Sequence, residues 1–110
     1  MARLSAAPVC VITLSYVAPI EAIDAQMAAH VAWLEAGFEE GLLLIAGRQV
    51  PRTGGIILCR GHRPEVEAFA ATDPFVTSGV ATAGVTEIAA SFAADALAPL
   101  LFREPGVQFH

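Results

Sequence analysis

The spacing of apolar positions along this chain changes several times, and each change marks an element. From residue 8 to 17 they alternate. Cys10, Ile12, Leu14 and Tyr16 share one face, and Val9, Val11, Thr13 and Ser15 share the other, as in a strand. Pro19 then suits the opening of a helix, where its missing N–H costs nothing. Ile20, Ile23, Met27, Val31, Leu34 and Phe38 recur at steps of three and four, which predicts one buried helical stripe ended by Gly41. Residues 42–46 and 56–59 are short apolar runs bounded by glycines, two strands joined by a polar loop. A second helix is expected from about residue 64, with Pro64 at its opening and Val66, Phe69 and Ala70 facing inward. Pro74 ends it, because the residue before a proline is pushed out of the helical region. Residues 81–89 read as a last strand, and 91–102 as a short helix interrupted by Pro99, with Phe92, Leu97, Leu100 and Leu101 as its contacts.

The order β-α-β-β-α-β defines an α+β, ferredoxin-like arrangement: an antiparallel four-stranded sheet with two helices on one face. All 110 residues read as one domain, with a core over about 8–90 and a tail over 91–110. The two central strands are apolar on both faces, yet two helices cover only one face of a small sheet. The other face is therefore expected to meet a second copy, giving a homodimer or higher homo-oligomer. Composition points the same way: 55% of residues are hydrophobic and 15% charged, an apolar surplus for so small a chain and the opposite of a disordered one.

The charge balance narrows the partners. Net charge is −5, and the six basic residues, all arginines, are too scattered to track a phosphate backbone, so no nucleic acid is expected. No apolar run nears the roughly 20 residues that span a bilayer. The N-terminal run is β-branched and lacks a small-residue cleavage site, which reads as a strand rather than a signal peptide. Cys10 and Cys59 lie in strand-like runs without C-x-x-C spacing, and His62 and His110 are distant in sequence. Two reduced, buried thiols in a cytoplasmic protein are expected, with no metal. Nucleotide-binding glycine loops and a nucleophile elbow are absent, and no cofactor is expected.

Two polar residues interrupt the apolar helix faces. His30 follows Met27 by three and precedes Leu34 by four, so it shares their stripe. Asp73 is four after Phe69 and seven after Val66, on the inner face at the C-terminal end of the second helix, where the helix dipole disfavours a carboxylate by about 0.3–1 kcal/mol. An imidazole meeting Asp73 would offset that cost. Such a pair either pins two helices or holds the ring in one tautomer, leaving its other nitrogen as a base near neutral pH. Arg48 and Arg52 share the loop between the central strands, as a grip for one small anion or as solvated loop charges. Trp33 is placed in the cleft or at the subunit seam, the seam being favoured, and Phe75 is a cleft wall or a helix-end anchor. His62, just before Pro64, reads as an exposed residue at the start of the second helix rather than a ligand.

His30 with Trp33-Leu34, Gly41-Leu42-Leu43 leading to Ala46-Gly47, Gly54-Gly55 and Asp73-Pro74-Phe75 occur in an order that resembles the YCII-related (YciI-like) family over roughly residues 8–90. The resemblance implies a subunit of a dimeric α/β barrel, with His30 and Asp73 at the family's histidine and aspartate positions in a cleft. It also implies kinship with a dehydrochlorinase of hydroxylated chloroaromatics, and a fold similar to that of muconolactone isomerases. The chain departs from many members at Gln26 and Met27, where they carry a basic residue, and at Arg48, where they carry proline. The resulting expectation is a cofactor-free lyase or isomerase acting on a small hydroxylated cyclic or aromatic acid. His30 would shuttle the proton, Asp73 orient it and Arg48 meet the anionic part. The alternatives are a non-catalytic small-molecule-binding or sensing dimer, or an accessory subunit docking through its apolar tail.

Overall fold

The alternating first segment forms the longest strand, β1 (Ala2–Tyr16), of the computed structural model, which describes residues 1–101. After it come helices α1 (Ile20–Ala25) and α2 (Met27–Glu39), strands β2 (Leu43–Arg48) and β3 (Gly54–Arg60), helices α3 (Arg63–Ala70) and α4 (Pro74–Thr77), and strand β4 (Ala81–Ala93). All pairings are antiparallel, in the order β2-β3-β1-β4. The face that carries Cys10, Ile12, Leu14, Ile57 and Cys59 is sealed by the helices, which contribute Ile23, Val66, Ala70 and Phe75 to the same core.

The expected antiparallel four-stranded sheet with helices on one face is present, but the barrel implied by family resemblance is not. The sheet stays open, with β2 and β4 as its two edges. Four strands are about half of the roughly eight whose tilt and stagger close a small barrel around its side chains.

The helices differ from the expected pair. The first apolar stripe is divided at Gln26, whose φ of −101° and ψ of 1° leave the α region between α1 and α2. The break rotates α2 relative to α1. His30 and Gly37, two turns apart, become its buried positions, while Val31 and Phe38 are 41% and 44% exposed. Gly41 does end α2. With φ of +75° it occupies the left-handed region, and Leu42 N–H donates to Gly37 O while Gly41 N–H donates to Phe38 O, a Schellman closure. Gly37 sits where a Cβ would approach Phe69 Cζ to 2.6 Å and Leu43 Cδ1 to 2.8 Å, so its missing side chain lets α2 settle on β2 and α3.

Two further expectations are corrected at the ends. The first strand reaches back to Ala2 through an irregularity between Arg3 and Ala7. The tail forms no helix over 91–101. Residues 91–93 continue β4, and only Ala98–Leu100 makes a short 3-10 turn; Phe102 and His110 lie outside the described residues. Leu101 is buried with Ala7, Val9 and Ala90 in a small cluster on the sheet face opposite the helices, and Arg60 donates to Leu100 O at 2.6 Å. The rest of that face stays open, with Ile45 60% and Ile88 48% exposed.

Both cysteines are free and fully buried on the helix side of the sheet. Burial pushes the Cys59 thiol up to about 12 and raises Cys10 as well. Unfolded, the Cys59 thiol loses its proton near 9, whereas folded it keeps it until about 12. Its stabilising contribution is therefore full below pH 9 and declines as pH rises towards 12. The chain contains no lysine to mask this alkaline limb. Urea midpoints measured on either side of pH 9 will fall with pH, and will fall less steeply in Cys59→Ala. Equal slopes in the two proteins would contradict the assignment.

Candidate active site

His30 is presented by the second turn of α2, and Asp73 by the turn between α3 and α4. The two meet: His30 Nδ1 lies 2.8 Å from Asp73 Oδ1, with His30 8% exposed and Asp73 fully buried. Asp73 does not close the second helix, as the spacing predicts. α3 ends at Ala70, and Asp73 instead caps the N-terminus of α4, with φ of −60° and ψ of 126°, accepting from Phe75 N–H at 3.0 Å. Asp-Pro is a natural helix opening, with the side-chain oxygen taking an orphan donor and proline at the first helical position. The dipole penalty expected at a helix C-terminus is thus absent. One buried oxygen, Asp73 Oδ2, has no hydrogen-bond partner among the described residues.

Aromatic rings hold the imidazole plane. Phe75 stacks on His30 with centroids 3.9 Å apart and planes 6° from parallel, and Trp33 covers it at 5.5 Å and 30°. Trp33 in turn stacks on Phe69 at 4.2 Å, and its indole N–H donates to Thr72 Oγ1 at 3.0 Å and Phe69 O at 3.3 Å. It therefore fastens α2 to the turn that carries Asp73. It lies neither in the cavity wall nor on the open sheet face.

His30 opens on a cavity of about 250 Å³ between α2, β2 and β3, walled by Leu14, Met27, Leu34, Ile57 and Phe75. The imidazole makes no protein hydrogen bond through Nε2 among the described residues, and that nitrogen is the one left for a ligand. Arg48 and Val31 stand at the rim, both exposed. Gly54 and Gly55 supply backbone to the wall, because a Cβ on Gly54 would lie 1.8 Å from Leu14 O. Arg52, grouped with Arg48 by sequence, is absent from the wall. It donates to Asp24 Oδ1 at 2.7 Å and lies against the Tyr16 ring at 5.9 Å. Tyr16 lines the cavity and meets Phe75 edge-on at 6.0 Å. The sequence reading did not single it out, although it is the one polar-tipped residue on the inward stripe of β1.

His62, 74% exposed in its side chain, sits 3.6 Å from Glu87 on the surface, away from this cavity. Among the described residues no group of three or more His, Cys, Asp or Glu is placed to hold a metal ion, and no helix is long and apolar enough to cross a membrane.

The chain is thus an α+β domain with an open antiparallel sheet and a buried His–Asp pair beside a small cavity. Residues 9–89 match the model of the YCII-related domain, and the chain belongs to that family. No curated protein matches it. Among solved structures it is similar to 5-chloro-2-hydroxyhydroquinone dehydrochlorinase from Burkholderia phenoliruptrix in complex with 2,5-dihydroxybenzoquinone. That match has a TM-score of 0.61 and 20% identity, covering 71% of this chain and 90% of that one, a likeness of fold.

Replacing Asp73 by alanine removes both the α4 cap, worth about 1 kcal/mol, and a hydrogen bond to the imidazole worth about 1.5–3 kcal/mol if charge-assisted. Chemical denaturation should show a loss of about 2–4 kcal/mol. A loss below about 1 kcal/mol would mean that neither contact contributes as described.

Proposed function

We propose that this protein is a cofactor-free lyase or isomerase acting on a small hydroxylated cyclic or aromatic acid. The observation that carries the reading is the asymmetry of the pair: Asp73 is sealed from solvent while His30, bound to it through Nδ1, lines the cavity. With Asp73 accepting the Nδ1 proton, the Nε2 lone pair is the base. It takes a proton from carbon or oxygen of the bound ring; the electron pair left behind stays on that oxygen, or moves from carbon onto an adjacent oxygen, as an enolate. The imidazolium so formed is balanced by Asp73 and stacked on Phe75. It then returns the proton to a different atom, an isomerisation, or the electron pair expels a leaving group as its anion, an elimination. Arg48 at the rim meets the acid group, since a guanidinium suits a carboxylate. The mostly apolar wall lowers the local dielectric, which strengthens these charges where they act.

The fold likeness to a dehydrochlorinase supports this reading, and two free, buried thiols suit a cytoplasmic setting. An accessory subunit docking through its tail is less favoured, because Leu101 packs against the protein's own sheet and the Leu100 carbonyl accepts from Arg60. The decisive assay screens hydroxylated and halogenated ring acids for turnover. Given a substrate, His30→Ala should lower kcat by about 10²–10⁴, and Asp73→Asn should also lower it, with Arg48→Met acting mainly on KM. Saturable binding without turnover, or full activity in both His30→Ala and Asp73→Asn, contradicts the enzymatic reading and leaves a binding or sensing protein.

Self-association is part of the proposal. Ile45, Ile56, Leu58 and Ile88 leave an apolar band on the open sheet face, the chemistry of a surface covered by a second copy. Sedimentation should show a homodimer for the natural chain and a folded monomer for Ile45→Glu combined with Ile88→Arg. A monomeric natural chain contradicts it.

A further inference from the structure

The cavity has a second polar end that the proton-transfer scheme does not use. Tyr16 stands at the end of the inward stripe of β1, and Phe75 touches both it, edge-on at 6.0 Å, and His30, face-on at 3.9 Å. The phenol and the imidazole therefore flank one wall and line one space. Behind Tyr16, outside the cavity, lies Arg52, anchored to Asp24 Oδ1 at 2.7 Å with its guanidinium carbon 5.9 Å from the phenol ring centre. Hydrogen bonding to Asp24, opposed by partial desolvation and helped by Tyr16, holds Arg52 above its ordinary value, so it stays a donor. A guanidinium has no acceptor atom. Set against the phenol ring, it cannot accept the phenolic proton, which is left for another acceptor.

Resting on the site reading above, we propose that Tyr16 is a specificity-determining residue. It donates to a second oxygen of a bound ring whose first oxygen meets His30, so the cavity selects rings bearing two oxygen substituents besides the acid group. Arg52 and Asp24 are positioning residues that act through Tyr16. The volume of about 250 Å³ fits this, being below the usual pocket range of about 300–1,000 Å³ and suited to one ring. On a ring held at its acid group by Arg48, substituent oxygens are the remaining handles, and His30 and Tyr16 are the side chains of the wall able to read them.

The test is calorimetric titration with the monohydroxybenzoates and the dihydroxybenzoate isomers. Tyr16→Phe keeps the ring that packs on Phe75 and removes only the hydroxyl. At least one dihydroxy isomer should bind the natural protein about tenfold more tightly than its monohydroxy parents. Tyr16→Phe should erase that advantage while changing the monohydroxy affinities less than about twofold. Arg52→Met should reduce the advantage without abolishing binding. If the preference survives in Tyr16→Phe, or is absent from the natural protein while His30→Gln still weakens every probe, the role given to Tyr16 is wrong and the site reading stands. If no probe binds, or His30→Gln leaves all affinities unchanged, the site reading fails and the proposal with it.

Discussion

The contact between His30 Nδ1 and Asp73 Oδ1, at 2.8 Å, is the interaction around which the helical layer is arranged. It joins the second turn of α2 to a turn 43 residues later, and most unusual features nearby serve it. Gly37 brings α2 close to Phe69 and Leu43, Trp33 ties α2 to Thr72, and the Phe75 amide binds the same carboxylate oxygen that faces the imidazole. A buried polar pair of this kind contributes little net stability compared with apolar packing, because two groups must leave water. Asp73 Oδ2 shows the cost directly, being buried without a hydrogen-bond partner among the described residues. Structures depart from full polar satisfaction mostly where function requires it, and a cavity lies beside this pair.

The sheet's part is to hold the opposite wall still. Leu14 and Tyr16 on β1 and Ile57 on β3 reach the cavity from strands paired on both sides, so that wall cannot shift without breaking ladders. The helices seal one face of the sheet and the chain's own residues up to Leu101 shield one end of the other. What stays open is an apolar band with Ile45 on β2, Ile56 and Leu58 on β3, Val11 on β1 and Ile88 on β4.

Much of this was readable from residue spacing, and the failures are informative. His30 and Asp73 stood out because each interrupts an apolar stripe, and a chain of 15% charged residues has few reasons to turn them inward. The break at Gln26 was not legible, since Ile20 to Phe38 keep the period of one continuous helix. Only packing shows that α2 turns its Gly37 face inward. Asp73-Pro74 carries both signals, an end for the preceding helix and a cap for the next, and the capping signal decided the local geometry. The contacts of Trp33 and Arg52 are not legible in the sequence, since a large aromatic or a loop arginine announces a contact but not its direction. Tyr16 was overlooked because an aromatic at the end of an alternating strand reads as core. The barrel came from resemblance rather than from any residue pattern, and the open edges of β2 and β4 remove it.

The account stands on Asp73 fixing the proton of His30 on Nδ1 so that Nε2 faces the cavity as a base. Two-bond proton–nitrogen correlation spectra of the labelled imidazole read the tautomer directly. In the neutral ring they should show the proton on Nδ1 and a bare Nε2 in the natural protein, with the Nδ1 preference lost in Asp73→Asn. A proton on Nε2 in the natural protein, or the same tautomer in both proteins, would contradict the claim that this pair is built for proton transfer.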